Sequence, residues 1–282
     1  MISIKSYAKI NIALNVEGKC ADGYHLLDSV ALPLELHDTI LLSTLKNARD
    51  TYVTIDDFSQ GIIDYNIATL AIEKFHLKYG LDNKYRVYIH KVIPMQAGLG
   101  GGSSNAAFIL KAINKLSKVN AGNEELKEIG KTIGADVPFF IDAVPARMQG
   151  IGEVLTPIEI KNNYYVLLVK PHDGLSTKEV FAKSDELKLE TGNIDKVIEA
   201  LRSGDDDLLA DSIVNSLEKP AIELLPEIDK IKGLLRGYGV KIVGMTGSGS
   251  AVFALSQNKK LLKQIEKELE DKYVTVLTKI LK

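Results

Sequence analysis

The sequence is poor in cysteine, in excess positive charge and in long apolar runs. Its one cysteine, Cys20, excludes an internal disulfide and fits a reducing compartment. The net charge of -2 argues against a protein that binds nucleic acid through a basic face. No apolar run reaches membrane-spanning length, and Lys5 and Lys9 interrupt the apolar residues where a signal-peptide core would lie. We therefore expect a cytoplasmic protein that binds neither nucleic acid nor membranes.

A glycine-rich segment from Pro94 to Ala107 joins a predicted strand to a predicted helix. Apolar residues alternate before it and recur at helical spacing after it: Tyr85, Val87 and Ile89, then Ala106, Ile109, Leu110, Ile113 and Leu116. Glycine allows main-chain N–H groups to turn towards a ligand, and the first turn of a helix adds unsatisfied N–H groups and a positive dipole end. The segment therefore predicts a cradle for nucleotide phosphates.

Two common phosphate motifs do not fit this segment. No Gly-Lys-Ser/Thr sequence closes it, so it is not a Walker A motif, and Ser103 stands where the third glycine of a dinucleotide fingerprint would fall. A flexible linker is the structural alternative, but linkers usually have polar flanks, whereas this segment joins two elements that need burial. We expect a phosphate loop of another architecture.

The first predicted strand carries a row of polar side chains. Residues two apart share one face of a strand. The polar row consists of Lys9, Asn11, Ala13 and Asn15, and the apolar row of Ile10, Ile12, Leu14 and Val16. A lysine and two asparagines suit solvent or a polar cleft better than a second core surface.

Helical spacing predicts helices over residues 66–79, before Gly80, and over residues 123–134, where Asn123 is the expected cap. Asp136 follows the second helix directly. Strands and helices mix without a strict βαβ repeat, which favours an α+β protein over a doubly wound α/β fold.

A domain boundary is predicted near residues 153–162, which gives domains of residues 1–157 and 158–282. Beyond it, the pattern predicts strands at 164–169, 240–245, 251–256 and 273–280, helical segments around 193–217 and 226–236, and a helix through 261–269. This βαββαβ-like order indicates a ferredoxin-like second domain.

Lys9, Asp136 and the turn from Thr246 to Ser250 each have a structural interpretation when taken alone. Lys9 reads as a surface lysine and the turn as a hairpin loop. Asp136 reads as a cap or turn former, since Val137 precedes a proline and is pushed out of the helical region. Together with the phosphate cradle, these residues supply what phosphoryl transfer requires. An aspartate can accept a hydroxyl proton, and a nearby lysine would keep that aspartate ionised.

Five segments in order resemble the GHMP kinase superfamily over nearly the whole chain. They are Tyr7 to Ile12, Asp22 to His25, Pro94 to Ala107, Gly134 to Phe140, and Thr246 to Phe253. The resemblance implies an α+β, two-domain fold with an N-terminal ribosomal-protein-like α/β domain, a C-terminal ferredoxin-like domain, and ATP and substrate in the cleft between them. It also implies an ATP-dependent small-molecule kinase that uses Mg²⁺.

The segment Asp22-Gly23-Tyr24-His25 is similar to one typical of a single branch of this superfamily. That branch phosphorylates the 2-hydroxyl of a diphosphocytidyl methylerythritol in the non-mevalonate isoprenoid pathway. The resemblance makes Asp136 the general base and Lys9 its charged partner. It gives ATP the loop Pro94, Met95, Gln96, Ala97, Gly98, Leu99, Gly100, Gly101, Gly102, Ser103 and Ser104, with Asn66 and Lys91 beside the adenosine.

The implied substrate contacts are Asn11, Tyr24, His25, Phe181, Thr246, Gly247 and Ser248. Asn11 would bind the methylerythritol end, Tyr24 and Phe181 would stack on the cytosine, and His25 would bond its edge. Ser103 and Ser104 would sit against the phosphates and the metal, whose remaining ligands the resemblance does not assign.

The chain departs from the family pattern at two places. Cys20 stands where arginine is common, and Ala143-Val144-Pro145 stands where a Gly-Gly pair usually follows the aspartate. Proline and valine cannot adopt glycine's backbone range, so the loop there is expected to take another path. Two alternatives stay open: a kinase of the homoserine or mevalonate type, and a non-catalytic paralogue that binds nucleotide.

Overall fold

The computed structural model describes residues 1–21, 23–56 and 67–282. Within them the strands are β1 (Ile2–Lys19), β2 (His25–Leu45), β3 (Tyr52–Asp56), β4 (Lys84–His90), β5 (Ala146–Gly150), β6 (Val154–Pro157), β7 (Tyr165–Lys170), β8 (Ile242–Met245), β9 (Val252–Ser256) and β10 (Val274–Lys279). The helices are α1 (Ile67–Tyr79), α2 (Gly101–Ser117), α3 (Asn123–Lys131), α4 (Val137–Asp142), α5 (Thr177–Ser184), α6 (Ile194–Ser203), α7 (Asp206–Ser212), α8 (Glu218–Leu224), α9 (Glu227–Gly237) and α10 (Lys259–Leu269).

The structure divides into two compact units. The first comprises Met1–Ala8, Leu36–Pro94 and Gly100–Ala143, and the second comprises Lys9–Glu35, Met95–Leu99 and Val144–Lys282. The units do not follow a single cut of the chain, because β1 and β2 each contribute residues to both. A boundary at residue 157, with one domain on each side, therefore stays a prediction.

In the first unit, β4 is paired on both of its edges. Residues 39–45 of β2 run antiparallel to β4, and β3 runs parallel to it. Tyr85, Val87 and Ile89 are buried, as the alternating pattern predicts. Helix α2 packs against α1 and α4 and buries an almost continuous apolar stretch through its middle. The strand before the glycine-rich segment and the helix after it are thus both confirmed.

The second unit contains an antiparallel four-stranded sheet in the order β10-β7-β9-β8. Helices α9 and α10 pack against this sheet, and their apolar residues join a core that also holds Val169 and Val252. This is the ferredoxin-like arrangement that the sequence predicts. In the same unit, residues 27–31 of β2 pair with β5, which pairs with β6.

Two helix starts differ from the prediction. Gly122 caps α3 instead of Asn123, because the Glu125 carboxylate accepts the Gly122 N–H at 3.0 Å, while the Asn123 amide donates to Asp142 at 2.8 Å. This helix also ends earlier than predicted, at Lys131.

The prediction that Val137 lies outside the helical region is wrong, since it begins α4. Proline fits the first turn of a helix, where the missing N–H has no intrahelical partner. Val137 is fully buried, and its side chain lies 3.0 Å from the position of a Cβ on Gly130. Burial and the tolerance for proline in the first turn outweigh the pre-proline preference for extended backbone.

Candidate active site

Residues Met95–Leu99 of the glycine-rich segment and the C-terminal turn, predicted as separate motifs, lie against each other in the second unit. Gly98 has a φ of +72°, and a Cβ on it would lie 2.1 Å from the Thr246 carbonyl oxygen. The Thr246 hydroxyl donates to the Gly98 carbonyl at 3.3 Å, and the Ser250 N–H donates to the Gln96 carbonyl at 3.2 Å. Only a glycine permits this approach of two main chains.

The polar row of β1 is buried rather than exposed. Lys9, Asn11 and Asn15 are each 4% exposed, so the solvent interpretation of this face is wrong. The Lys9 ammonium donates to the Asn11 side-chain oxygen, and the Asn11 amide donates to the Ser29 hydroxyl at 2.8 Å. Ser29 in turn donates to the Ala13 carbonyl at 2.7 Å. These bonds compensate the cost of burying the polar groups and fix the two side chains.

Strand β1 is also bonded to both of the glycine motifs. The Lys9 N–H donates to the Leu99 carbonyl at 3.0 Å, and the Asn11 N–H donates to the Thr246 hydroxyl at 2.9 Å. At the other end of the turn, the Ser248 and Thr177 hydroxyls are 2.9 Å apart. The second unit thus brings Lys9 and Asn11 together with the predicted Met95–Leu99 loop and the Thr246–Ser248 turn.

Helix α2 begins in the first unit without a side-chain cap. Gly100 occupies the N-cap position with a φ of +68°, and Ser103 lies in the first turn, half-buried. The N–H groups of a first turn have no partner within their helix. With the positive end of the helix dipole they favour a bound anion, which is the chemistry predicted for Gly100, Gly101, Gly102 and Ser103.

A buried polar network holds the start of α2 in place. The Asp38 carboxylate is fully buried and accepts from the Lys91 ammonium at 2.5 Å and from the Asn105 amide at 2.9 Å. The Asn105 amide also donates to the Ser6 hydroxyl at 2.9 Å, which lies 2.8 Å from the hydroxyl of Ser104. The network joins β1, β2 and α2 within the first unit.

Asp136 lies half-buried at the N-terminal end of α4, in the first unit. It occupies the N-cap position, as the cap interpretation expects, but its side chain makes no capping hydrogen bond. Gly134 precedes it, and a Cβ at that position would lie 3.8 Å from the Ser103 hydroxyl. The aspartate segment and the first turn of α2 are therefore neighbours.

His25 and Phe181 meet in the second unit. Their rings stack with centroids 4.7 Å apart and planes 29° from parallel. The His25 Nε2 lies 2.7 Å from a carboxylate oxygen of Asp185, whose other oxygen accepts from Lys19 at 2.5 Å. Hydrogen bonds from Lys19 and then from His25 hold the pKa of the Asp185 carboxyl below its ordinary value. Tyr24, beside His25 in sequence, is 56% exposed.

Some predicted residues have structural partners, and two lie outside the described part of the chain. Lys91, predicted beside the adenosine, forms the buried ion pair with Asp38. The Ser104 hydroxyl, predicted at the phosphates, is fully buried against Ser6. Pro94 is half-buried in the first unit, whereas Ala97 and Leu99 are buried in the second. Asn66 lies outside the described residues, as does Asp22.

Sequence reasoning missed Asp38 and Asp185. For Asp38 a signal existed, since it interrupts the alternation of Leu34, Leu36, Ile40 and Leu42, all of which are buried. A carboxylate on the apolar face of a strand requires buried partners. Asp185 carries no such signal, because it follows a short helix and its partners lie 160 and 166 positions earlier in the chain.

Among the described residues, no group of three or more histidines, cysteines or acids is arranged to hold a metal ion. In the same part of the chain, no helix has both the length and the apolar content to span a membrane.

The chain matches a known family, named relatives and solved structures. Residues 66–143 match the family described as GHMP kinases N terminal domain, and residues 197–275 match GHMP kinases C terminal. The 4-diphosphocytidyl-2-C-methyl-D-erythritol kinase of Clostridium perfringens (strain SM101 / Type A) is 37% identical over 96% of this chain and 94% of its own length. The protein of that name from Clostridium beijerinckii (strain ATCC 51743 / NCIMB 8052) is 37% identical over 98% of both chains.

Solved structures give the same result at the level of the fold. A crystal structure of 4-(cytidine 5'-diphospho)-2C-methyl-D-erythritol kinase covers 99% of both chains with a TM-score of 0.82 and 28% identity. The L. major mevalonate kinase in complex with R-mevalonate reaches a TM-score of 0.74 over 99% of this chain and 96% of its own, at 16% identity. The second likeness shows a shared fold and no more.

Proposed function

The chain belongs to the GHMP kinase family, and from this premise we propose that it uses ATP to phosphorylate the 2-hydroxyl of 4-diphosphocytidyl-2-C-methyl-D-erythritol, in the non-mevalonate isoprenoid pathway. The relatives that carry this kinase's name cover nearly the full chain at about 37% identity. The structural observation that carries the proposal is the buried Lys9–Asn11 pair, bonded through its main chain to Leu99 and Thr246. It supplies a fixed cation beside both glycine motifs.

We assign the ATP phosphates to main-chain N–H groups of the loop from Gly98 to Gly102 and of the first turn of α2. Such groups bind anions without a side-chain charge, and the helix dipole adds to the attraction. The Ser103 hydroxyl is the candidate protein ligand for Mg²⁺, because the Ser104 hydroxyl is buried against Ser6. Bound Mg²⁺ supplies charge neutralisation for the triphosphate.

We assign general-base catalysis to Asp136 and electrostatic stabilisation to Lys9. Phosphoryl transfer needs little covalent chemistry from the protein beyond positioning, charge and removal of the hydroxyl proton. A carboxylate can accept that proton, and an ammonium group stabilises both the ionised carboxylate and the developing alkoxide. Asn11, whose side chain is already held by Lys9 and Ser29, would bind the methylerythritol end.

We assign the cytosine to Tyr24, His25 and Phe181. An exposed tyrosine ring and a half-buried phenylalanine ring offer apolar faces for stacking, and an imidazole offers one hydrogen-bonding atom at each nitrogen. Thr246, Gly247 and Ser248 would line the remaining contacts to the substrate.

Substitution of Asp136 by asparagine tests the chemistry. The amide keeps the shape of the side chain but cannot act as a base, so turnover with the diphosphocytidyl substrate should fall by about 10²- to 10⁴-fold. The Kd for ATP, measured by calorimetry, should stay within about threefold of wild type, since no phosphate contact is removed.

Asp142→Asn is the matched control, because Asp142 is the last residue of α4, whose N-cap position Asp136 occupies, and it pairs with Lys127. It should retain turnover. Undiminished turnover in Asp136→Asn would remove this residue from the mechanism. Faster phosphorylation of mevalonate or homoserine than of the diphosphocytidyl substrate by wild-type protein would overturn the substrate assignment.

A further inference from the structure

Asp185 holds His25 and Lys19 at the same time. Its two carboxylate oxygens take one partner each, Nε2 of His25 at 2.7 Å and the Lys19 ammonium at 2.5 Å. All three residues belong to the second unit, and the His25 side chain is only 10% exposed. The carboxylate therefore touches the imidazole on one edge and leaves the opposite ring nitrogen for another partner.

The carboxylate determines which ring nitrogen carries the proton. An ionised carboxylate can only accept hydrogen bonds, so Nε2 of His25 must be the donor. In a neutral imidazole the other nitrogen, Nδ1, is then an acceptor. Lys19 already balances the charge of Asp185, so the contact does not require a charged imidazole. The neutral ring bonded to Asp185 through Nε2 presents Nδ1 as an acceptor.

Helix α5 brings a second contact to the same ring. Phe181 and Asp185 are four residues apart, and the Asp185 N–H donates to the Phe181 carbonyl at 3.2 Å. Residues at this spacing lie on one helical face. Phe181 covers the plane of the imidazole and Asp185 bonds its edge, so one turn of the chain fixes both the tilt of the ring and its rotation.

The position of Asp185 is unfavourable for the helix itself. It caps the C-terminal end of α5, where the negative end of the helix dipole repels a carboxylate. The residue therefore does not stabilise α5 through its charge. The carboxylate instead serves to bond Lys19 and His25.

We propose that Asp185 is a positioning residue that sets the base specificity of this kinase, by holding His25 in the tautomer whose Nδ1 accepts a hydrogen bond. Cytosine carries an amino donor at position 4, whereas uracil carries a carbonyl acceptor there. An acceptor nitrogen facing that position bonds the first and repels the second. This inference rests on the proposed function, in which His25 meets the edge of a cytosine.

Asp185→Asn tests the inference, with Glu186→Gln as the matched control. Both changes replace a carboxylate by its amide, but Glu186 pairs with Lys183 on the surface. An asparagine can offer Nε2 either an acceptor or a donor, so it no longer selects one tautomer. The ratio of the Kd values for uridine and cytidine diphosphate, measured by calorimetry, should fall about tenfold in Asp185→Asn and stay unchanged in Glu186→Gln.

Nitrogen-15 NMR of histidine-labelled protein without ligand reads the tautomer itself. The His25 signals, assigned by their absence in His25→Gln, should show a protonated Nε2 and an unprotonated Nδ1 in wild type, and a mixture in Asp185→Asn. A wild-type His25 that carries its proton on Nδ1 overturns the proposal. So does a variant that loses affinity for both nucleotides equally, because that result describes a purely structural role.

The two proposals fail in different ways. Wild-type protein that does not phosphorylate the diphosphocytidyl substrate contradicts the proposed function, whatever the tautomer of His25. Wild-type protein that prefers cytidine diphosphate, together with an unaltered preference in Asp185→Asn, contradicts the role of Asp185 alone.

Discussion

Asp38 and Lys91 provide the sharpest test of how the start of α2 is held. Asp38→Asn removes the charge of a fully buried carboxylate but preserves its shape. One asparagine oxygen can still accept from the Val92 and Ile93 N–H groups, which now donate to Asp38 at 2.8 and 2.9 Å. The asparagine NH₂ group, however, would face the Lys91 ammonium and the Asn105 amide, which are both donors.

The loss of stability follows from the Lys91 charge, which stays buried in the variant. The Lys91 side chain is 9% exposed, and among the described residues it would keep only the Asn105 oxygen, at 3.3 Å, as a partner. Breaking a buried ion pair from one side costs about 3–5 kcal/mol, because the other charge stays buried without compensation. Against a total stability of about 5–15 kcal/mol, this is a large share. Adding Lys91→Met removes the remaining charge and should restore about 2 kcal/mol or more.

Urea unfolding followed by far-UV circular dichroism measures both effects. The midpoint should fall in Asp38→Asn with an unchanged slope, and it should rise again in the double variant. Glu128→Gln is the control, since it breaks an exposed pair with Lys131 in the same unit, and its midpoint should match wild type. A loss in Asp38→Asn no greater than in this control, or no recovery on adding Lys91→Met, would refute the reasoning.

Two further predictions concern backbone conformation and are read by thermal unfolding. Gly98→Ala should destabilise the folded protein by about 2 kcal/mol or more, because the new Cβ would lie 2.1 Å from the Thr246 carbonyl oxygen. Its control, Gly233→Ala on α9, places the new Cβ in open space and should stabilise the protein by about 0.5–1 kcal/mol. Ala143→Gly should stabilise the folded protein by about 0.5–1 kcal/mol, since Ala143 has a φ of +52°, which glycine adopts without strain. Its control, Ala182→Gly within α5, should destabilise the protein, because glycine is unfavourable inside a helix. A reversed sign in either pair contradicts the strain argument.

Local patterns predicted the parts of the fold that depend on periodicity and glycine. The ferredoxin-like sheet was predictable because its strands are short apolar runs, such as Tyr165–Lys170. The helix before the last strand, Lys259–Leu269, has a clear helical pattern. The glycine-rich loop was visible because Gly98 and Gly100 stand where the backbone has positive φ. The left-handed conformation after α4 was not visible, because Ala143 fills it without glycine.

Side-chain environments were harder to predict than elements. The polar row of β1 gave equal support to solvent and to a polar cleft, because the Gly192 carbonyl that accepts from the Asn15 side chain lies 177 positions later in sequence. The structure buries this row. No pattern within a strand contains that contact, whereas the burial of Ile10 and Ile12 on the opposite face could be read directly from the alternation.

Burial on both faces gives β1 its precise register. A shift by one residue would exchange the two faces of a strand, since side chains alternate with period two. Lys9 and Asn11 would then enter the apolar layer without partners, and Ile10 and Ile12 would replace the groups that bond Ser29 and each other. Because an unpaired buried charge costs several kcal/mol, the two-sided pattern excludes the shifted pairing far more strongly than an amphipathic strand would. The same residues that we assign to phosphoryl transfer therefore fix the strand that positions them.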